Sequence, residues 1–190
     1  PGTRPSKLRG GVIGGSIVEG EFSEGDEIII GPGRKIEAGS KSHWEPIKAV
    51  VSSMQGGGLN LDTMHAGGLC GMATFLDPSI TTSDNLSGQV VARVGDLPEI
   101  HNRVSVEVNL MSHMVAGDGQ SPEKIHPLRN NEMLMLNVAT ATSVGTTRNA
   151  EKGRTDLDLR LPICADKGQR ISLSRRIGSR WRLIGYGTIL

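Results

Sequence analysis

The chain has 190 residues, 26 of them glycine, and aromatic residues make up only 3%. Its core must therefore be aliphatic, built from Val, Ile, Leu and the seven Met residues. A chain of this length needs no disulfide or metal ion to fold. No apolar run reaches the length of a membrane span and no signal peptide is recognisable, so a soluble cytoplasmic protein is expected. Abundant, scattered glycine favours many short strands and turns over long helices.

The stretch Gly10–Ile30 has the pattern of a β-hairpin. Four β-branched residues between positions 12 and 18 favour a first strand, Gly20–Asp26 is predicted to turn the chain, and Glu27–Ile30 to begin the return strand. Gly14 and Gly15 have no side chain, as a tight bend or the close approach of another backbone segment would require. A small, strongly curved barrel has this requirement.

The rest of the first half is predicted to contain strands and loops only. Residues 1–9 are expected to be a loop or arm, and Gly31–Trp44 a long exposed loop or hairpin excursion because it is rich in Gly, Ser and Lys. Strands are predicted at Pro46–Met54, Gly67–Phe75 and Ser87–Val94. This half would then have about five or six strands and no helix.

The turn signal GDLPE at Gly95–Glu99 marks the predicted domain boundary. Through Pro98 the chain carries 8 Lys/Arg against 11 Asp/Glu, a net charge of −3; from Glu99 onward it carries 13 against 9, a net charge of +4. We predict two domains, residues 1–98 and 99–190. The first is expected to be incomplete at its N terminus, because PGTRPSK resembles a loop entered midway.

Alternation of apolar and polar residues predicts strands in the second half. Arg103–Leu110 and Thr155–Leu161 alternate strictly, and Glu132–Ala139 has the apolar character of a central strand. Two more strands, Arg170–Ser174 and Arg180–Leu190, flank an arginine-rich turn. Three leucines of the second run are expected to face the core: Leu157, Leu159 and Leu161. Both halves are predicted to be all-β, and closed barrels are favoured because closure protects edge strands.

The sequence shows no catalytic constellation. The five His residues have none of the spacings of metal ligands, so they are interpreted as surface or hydrogen-bonded side chains. Isolated Cys70 and Cys164 are expected to be buried thiols in a reducing compartment. Ser16 lies outside a GxSxG elbow, and neither Gly10–Gly15 nor Gly56–Gly58 precedes a helix pattern that could bind phosphate. The chain is therefore predicted not to be an enzyme.

Arginines without an acidic neighbour crowd the C-terminal stretch RISLSRRIGSRWRLIGYGTIL, Arg170–Leu190. Guanidinium groups suit bidentate binding of phosphate or carboxylate, and Trp181 or Tyr186 could stack on a base or pack beneath an arginine. The alternative is an ordinary exposed strand face, with Trp181, Leu183 and Ile189 in the core. The residues alone leave both interpretations open.

Five stretches resemble the γ-subunit family of the archaeal and eukaryotic translation initiation factor 2, relatives of elongation factor Tu. They follow the family's order over nearly the whole chain: KLRGGVIGGSIVEGEFSEGDEIIIGPG, HAGGLCGMATFLDPSITTSDNLSGQVV, LPEI, NEMLMLNVATATSVG and LPICADKGQRISLSRRIGSRWRLIGYG. The arginine-rich last stretch is the most specific. The first is shared more widely among translational GTPases.

The resemblance implies tandem closed barrels of the domain II and domain III type of translational GTPases, without the GTPase domain. In the family, the whole subunit binds GTP and Mg²⁺. As part of a heterotrimer with α and β subunits, it carries initiator methionyl-tRNA to the small ribosomal subunit. This sequence contains no GxxxxGK[ST], DxxG or NKxD motif, so no cofactor is expected here. A non-catalytic role in supporting initiator tRNA and docking the α subunit is expected, with no membrane partner.

The resemblance also implies three groups of site residues. The acceptor end of the tRNA is expected along Ser52–Gln55 and Ala66–Leu69, where glycines either admit an adenosine or aminoacyl group close to the backbone or only turn the chain. These acceptor-end residues are Ser52, Met54, Gln55, Gly67, Gly68 and Leu69. The α subunit is expected to dock on Arg34, Lys35, Lys41 and Trp44. The GTPase domain or an RNA backbone is expected against Arg175, Arg176, Arg180 and Arg182.

Two alternatives to this function remain open on the sequence. One is a purely structural module, two barrels whose loops bind protein partners and whose arginines only stabilise the fold. The other is an accessory barrel pair of another GTPase-containing protein, since the first stretch is widely shared.

Overall fold

The computed structural model describes residues 10–39, 41–114 and 123–190. The predicted arm at 1–9 and most of the loop Met114–Lys124 lie outside these residues. The chain divides into two compact units, Pro1–Leu97 and Pro98–Leu190, whereas the sequence places the boundary one residue further on. In the part of the chain that is described, no helix is long and apolar enough to cross a membrane.

Within its described residues, the first unit contains eight strands, one turn of α-helix and a 3₁₀ turn. The strands are β1 (Val12–Ser16), β2 (Glu21–Ser23), β3 (Glu27–Ala38), β4 (Lys41–Gly56), β5 (Leu59–Leu61), β6 (Thr63–His65), β7 (Leu69–Thr74) and β8 (Val90–Arg93). They form a curled sheet in the order β1-β7-β4-β3-β8, with β5 on β4 and a separate β2–β6 pair. Its core contains Ile17, Phe22, Ile28, Val51, Met54 and Met72. This core is aliphatic and Met-rich, as the composition predicts.

The predicted hairpin at Gly10–Ile30 is wrong, because β1 pairs with β7 and not with β3. The pairing places Ile13 opposite Met72. It is extended by Thr74, whose backbone N–H and hydroxyl both donate to the Gly11 carbonyl, at 2.9 and 2.7 Å. Hydrogen bonding to β7, and not nearness along the chain to β3, therefore sets the register of β1, in which Ile13 is the partly buried side chain.

The sheet of the first unit is curled but open, whereas the sequence predicts closure in both units. In the described residues β1 and β8 pair with one neighbour each and not with each other. Thr81, Asp84, Leu86, Ser87 and Gln89, from the segment between β7 and β8, line the gap between these two edges. A side chain at Gly11 would overlap Thr81 of this segment, so the segment packs closely on the start of β1.

One turn of helix, α1 (Pro78–Thr81), replaces part of the predicted loop after β7. Asp77 caps it by accepting a hydrogen bond from the Ser79 N–H at 2.8 Å, and Pro78 occupies the first helical turn. This bond also lowers the pKa of Asp77. A 3₁₀ turn at Thr82–Asp84 follows directly. The prediction that this half contains no helix is therefore wrong. The capping signal is local, and hydrophobic periodicity does not detect it.

Strands β3 and β4 form a long hairpin, which is the excursion predicted for Gly31–Trp44. The register shifts between Ile30 and Arg34. At this bulge the Gln89 side chain replaces a strand: its Oε1 accepts from the Gly33 N–H and its Nε2 donates to the Gly33 carbonyl, both at 2.7 Å. The amide thereby satisfies backbone groups that the bulge leaves unpaired.

The second unit is the closed barrel that the sequence predicts. Its strands are β9 (Ile100–Leu110), β10 (Met133–Val138), β11 (Ala141–Glu151), β12 (Arg154–Cys164), β13 (Arg170–Ile177) and β14 (Arg180–Ile189). They close in the order β10-β11-β12-β9-β14-β13. Val104, Val106 and Val108 of β9 point into the barrel, as their alternation predicts.

Two β-bulges overturn single positions of the predicted core. The β12–β9 register shifts between Asp158 and Ile163, so Ile163 is buried and Leu161 is 49% exposed. The β13–β14 register shifts between Leu173 and Ser174, so Ile184 is buried in place of Leu183. One extra residue in one strand moves the following side chains to the other face.

Replacing Gly33 by Ala is expected to lower the free energy of unfolding of the first unit by about 2 kcal/mol or more. Gly33 has φ +90°, and an added Cβ would overlap the Glu45 carbonyl. Urea unfolding followed by Trp44 fluorescence, in a Trp181→Phe background, measures the effect. Gly14→Ala is the matched control: its Cβ would meet no atom closer than 3.7 Å, so a change below about 1 kcal/mol is expected. Equal stability of the two variants would contradict this account of the bulge.

Candidate nucleic-acid and protein interfaces

The predicted acceptor-end residues lie at one end of the first unit's sheet, on β4 and at the start of β7. Gln55 pairs with Gly71 of β7, and Gly67 and Gly68 form the turn before that strand. The two glycines have φ +104° and +138°, and a Cβ on either would meet no atom within 4 Å. Their backbone conformation therefore explains the absence of a side chain, and the space above them is open.

Met54 does not belong to an accessible site, which corrects its assignment as an acceptor-end contact. Its side chain is 1% exposed and packs in the core. Ser52 is half-buried beside a register shift, while Gln55 is exposed and donates to Asn60 Oδ1 at 2.7 Å. Leu69 is 79% exposed. The structure therefore leaves Gln55, the glycine turn and Leu69 open to a partner.

Val18 is an exposed residue of this end that sequence reasoning misses. It is 89% exposed, and its neighbour Ile17 accepts a hydrogen bond from the Gly67 N–H at 3.1 Å. The sequence assigns Val18 to the first strand of a hairpin. Its exposure arises because β1 ends at Ser16.

The predicted α-subunit residues lie on a two-stranded ribbon, residues 34–45 of β3 and β4, which we call the β3–β4 ribbon. In the described residues its strands pair only with each other. Arg34 pairs with Glu45 and Lys35 with Trp44, so Arg34 and Trp44 lie on opposite faces. Lys41 pairs with Ala38 beside the turn. The structure therefore does not bring the predicted docking residues together on one face.

Lys35 has a partner within the ribbon. Its Nζ donates to Glu37 Oε1 at 2.8 Å. This hydrogen bond, assisted by the lysine charge, lowers the pKa of Glu37. The pair is exposed, so it contributes little to stability, and Lys35 is free to exchange Glu37 for a partner's carboxylate.

The C-terminal arginine cluster is split between the two faces of the β13–β14 hairpin. Arg175 pairs with Arg182 and Ile177 with Arg180, so these three arginines share one face. Arg176 pairs with Trp181 on the other face. The arginines therefore do not form one patch.

Arg175 is a structural residue, which corrects its assignment to an RNA or domain interface. It forms an ion pair with Glu132, and the two side chains are only 18% and 19% exposed. Its guanidinium also donates to the carbonyls of His126 and Pro127 at 3.1 and 3.4 Å. These bonds tie the segment before β10 to the end of the barrel.

Arg176, Arg180 and Arg182 differ from Arg175 in their surroundings. Among the ion pairs of the described residues, none includes these three arginines. Arg176 and Arg180 are exposed and Arg182 is half-buried. The side chain of Arg182 also lies on the same face as Arg175, an arrangement of like charges that an external anion would stabilise.

Other arginines of the basic second unit are engaged by aspartates on the outer wall of the barrel. Asp158 accepts from Arg103 Nε at 2.5 Å and from Arg148 Nε at 3.0 Å. The hydrogen bond from Arg103, followed by that from Arg148, lowers the pKa of Asp158. The positive charge of this unit is therefore not distributed evenly. Three arginines without an ion pair among the described residues, Arg176, Arg180 and Arg182, lie close together in the β13–β14 hairpin.

No catalytic or metal centre is assembled from the described residues. They contain no group of three or more His, Cys, Asp or Glu side chains that could hold a metal ion. His101 contacts the Ala165 carbonyl at 3.0 Å, and His65 lies 3.0 Å from Glu21. Burial raises the pKa of the Cys164 thiol to about 11 and also raises that of the half-buried Cys70, so neither is an activated nucleophile.

The glycine-rich segments do not fit a phosphate-binding loop. Residues 12–16 of the first segment are strand β1, and residues 56–58 join β4 to β5. In the described residues the only α-helix is the single turn α1, far along the chain from both segments. In the described residues, neither segment therefore leads into the N terminus of a helix, where backbone N–H groups could bind a phosphate.

Comparison with known proteins identifies the second unit first. Residues 102–189, which contain nearly all of the closed barrel, match the family described as initiation factor eIF2 gamma, C terminal. Over 189 residues and 100% of its length, the chain is 51% identical to the translation initiation factor 2 subunit gamma of Methanococcus aeolicus. The whole chain is thus similar in sequence to translation initiation factor 2 γ subunits.

The γ subunits of other archaea are similar over the same extent. Identity is 48% to the subunit of Methanocaldococcus jannaschii and 45% to that of Halobacterium salinarum, in each case over 100% of this chain. The chain spans 46%, 46% and 45% of the length of these three γ subunits.

A solved structure supports the fold. The chain is similar to bacterial selenocysteine-specific elongation factor EF-Sec, with a TM-score of 0.68 over 96% of this chain and 25% of that protein. The sequences are 17% identical, so this similarity concerns the fold alone. The predicted barrel fold of domains II and III of translational GTPases is confirmed, with a closed sheet in one unit and a curled open sheet in the other.

Replacing Arg175 by Ala is expected to lower the free energy of unfolding of the barrel by about 3 kcal/mol, because Glu132 would remain largely buried without a partner. Trp181 fluorescence during urea unfolding, in a Trp44→Phe background, reports on the barrel. Arg176→Ala, which removes the exposed arginine next in the sequence, is the control. It is expected to lower the free energy of unfolding by less than about 0.5 kcal/mol. The double variant Arg175→Met, Glu132→Leu is expected to recover part of the loss, since it leaves no unpaired charge. A single Arg175→Ala variant as stable as Arg176→Ala would disprove the structural role.

Proposed function

We propose that the chain forms non-catalytic barrels of an initiation factor 2 γ subunit, which support initiator methionyl-tRNA and dock the α subunit. The observation that carries this proposal is the identity of 45–51% to archaeal γ subunits along the whole chain. Within that family role, the β and α subunits and the small ribosomal subunit are the partners we expect. GTP and Mg²⁺ are assigned to none of the described residues.

For RNA contact we favour the β13–β14 turn. Arg180 and Arg182 share one face, lack an acidic partner among the described ion pairs and extend beyond the end of the barrel core. A polyanion attracts every nearby cation, so two such side chains can neutralise phosphates without reading a base sequence. Arg175 is excluded from this role because it is bonded to Glu132.

For the tRNA acceptor end we retain the exposed part of the predicted site in the first unit. Open space above Gly67 and Gly68 would accept a planar group against the backbone, and Leu69 would supply apolar contact. Gln55 offers an amide for hydrogen bonding. Met54 is not part of this proposal.

Replacing both Arg180 and Arg182 by Ala is expected to weaken binding of initiator methionyl-tRNA about ten-fold and to reduce the slope of log affinity against log salt by about 2. Fluorescence anisotropy of labelled tRNA, titrated with the 190-residue chain at several salt concentrations, measures both quantities. Lys152→Ala with Arg154→Ala, which removes two exposed cations from the β11–β12 turn, is the control.

The proposal for the β13–β14 turn requires the control pair to retain the affinity and slope of the unchanged chain. If the two double variants behave alike, the turn makes no specific phosphate contact. If neither differs from the unchanged chain, RNA binding by this turn is ruled out.

For the α subunit we favour the face of the β3–β4 ribbon that carries Lys35 and Trp44. Tryptophan is the residue most enriched among side chains that dominate binding energy at protein interfaces. Trp44 is half-buried in the ribbon, and Lys35 lies directly opposite it. The ribbon has no third strand in the described residues, so the outer edges of its two strands are unpaired.

Trp44→Thr and Lys35→Thr are expected to weaken binding of an archaeal initiation factor 2 α subunit, by ten-fold or more for Trp44, a loss typical of a hot-spot residue. Isothermal titration calorimetry with the purified α subunit measures the affinity. Arg34→Thr, on the opposite face, is the matched control and is expected to change it less than about three-fold. The reverse ranking would move the docking site to the Arg34 face, and no effect of any variant would exclude the ribbon.

A further inference from the structure

The outer wall of the barrel carries a band of apolar side chains that runs across four strands, β11, β10, β13 and β14. Met135 pairs with Val144 on one side and with Ser174 on the other, and Ser174 pairs with Leu183. Cross-strand partners share a face of the sheet, so these side chains form one row.

A second row runs beside it. Met133 pairs with Thr146 on one side. On the other side, the antiparallel pair Leu134–Arg175 places Met133 next to Arg176. Arg176 pairs with Trp181. We call the apolar members of the two rows, with Tyr186 further along β14, the outer-wall patch: Met133, Met135, Val144, Trp181, Leu183 and Tyr186.

The patch faces away from the barrel core. Leu134 and Leu136, which alternate with its methionines along β10, are fully buried, whereas Met133 is 55%, Leu183 46% and Tyr186 45% exposed. Ser174, at the centre of the first row, is only 6% exposed because large neighbours flank it. Trp181 is half-buried on this wall, which contradicts the alternative that places it in the core. Apolar side chains that are gathered on one exposed wall are typical of interaction surfaces.

Positive charge borders the patch. Arg176 stands within the second row, and the Arg170 guanidinium lies 5.5 Å from the centre of the Tyr186 ring. Neither arginine takes part in an ion pair among the described residues. Along the same row of the sheet as Arg170, Glu107 follows Thr188, the strand partner of Arg170.

We propose that the outer-wall patch docks a protein segment whose aliphatic or aromatic side chains are flanked by aspartate or glutamate. Met, Trp, Tyr and Arg are the residue types enriched at protein interfaces. Two arginines at the border complement carboxylates and would repel the arginines of a second copy of this chain. Aliphatic side chains make up most of the patch and offer no stacking surface to bases, which favours a protein over RNA.

The patch is distinct from the site proposed for tRNA phosphates. Arg180 and Arg182 lie on one face of the β13–β14 hairpin, whereas Trp181 and Arg176 lie on the other. The two surfaces can therefore be altered independently.

The test selects random linear peptides displayed on phage against the 190-residue chain. Each selected peptide is then measured against a patch variant, Met133→Thr with Leu183→Thr, and against Arg176→Ser. Selected peptides are expected to be enriched in apolar residues next to Asp or Glu, and to bind the patch variant about ten-fold more weakly. With Trp44→Phe in the background, their binding is expected to shift the fluorescence of Trp181.

Matched controls separate docking from damage to the fold. Leu59→Thr alters an apolar side chain that is 66% exposed in the first unit, and Arg154→Ser removes an exposed arginine from β12. Both variants are expected to bind the peptides as the unchanged chain does. Thermal unfolding of each variant checks that the barrel is intact.

Four results would overturn the proposal. The first two are selected peptides that bind all variants equally, and peptides that bind through the patch without any enrichment in Asp or Glu. The third is single-stranded RNA that binds more tightly than the peptides and loses affinity in the patch variant. The fourth is a dimer in sedimentation that the patch variant abolishes, in which case a second copy of the chain is the occupant.

Discussion

Closure of the β10-β11-β12-β9-β14-β13 sheet is the constraint on which the second unit depends. In a closed sheet every strand has two hydrogen-bonded neighbours, so all side chains must point either to the core or to the outer wall. The bulges in β12 and β13–β14 adjust this assignment by single residues. Because of closure, the side chains of β13 and β14 form two surfaces with different chemistry. One surface bears Arg180 and Arg182, and the other bears Trp181 and Arg176.

The first unit reaches a similar curvature without closure. A capped helical turn and the residues up to Gln89 cover the gap between β1 and β8, and the Gln89 amide completes the hydrogen bonds of the bulge at Gly33. Long strands β3 and β4 continue past this bulge as a free ribbon. Strands of an open sheet can extend beyond the sheet as a ribbon that is available for binding, whereas the strands of a closed barrel are paired with neighbours on both sides.

Burial and hydrogen bonding explain which predicted site residues survive in the structure. Met54 is an apolar residue on an inward-facing strand position, and Arg175 is bonded to a carboxylate and two carbonyls at the end of the barrel. Neither fact can be read from the neighbouring residues in the chain, because Glu132 is far from Arg175 in sequence. Gln55, Leu69, Trp44 and the remaining arginines keep the exposure that a partner would need.

The sequence by itself determined the β class of both halves, most strand positions and the resemblance to the γ-subunit family, because alternation, glycine content and long motifs are local signals. The tertiary structure alone decided that β1 pairs with β7, that Leu161 and Leu183 turn outward, and that the arginine cluster is divided. These outcomes depend on register between strands distant in the chain, and a slip of one residue exchanges the two faces. No local pattern contains that information.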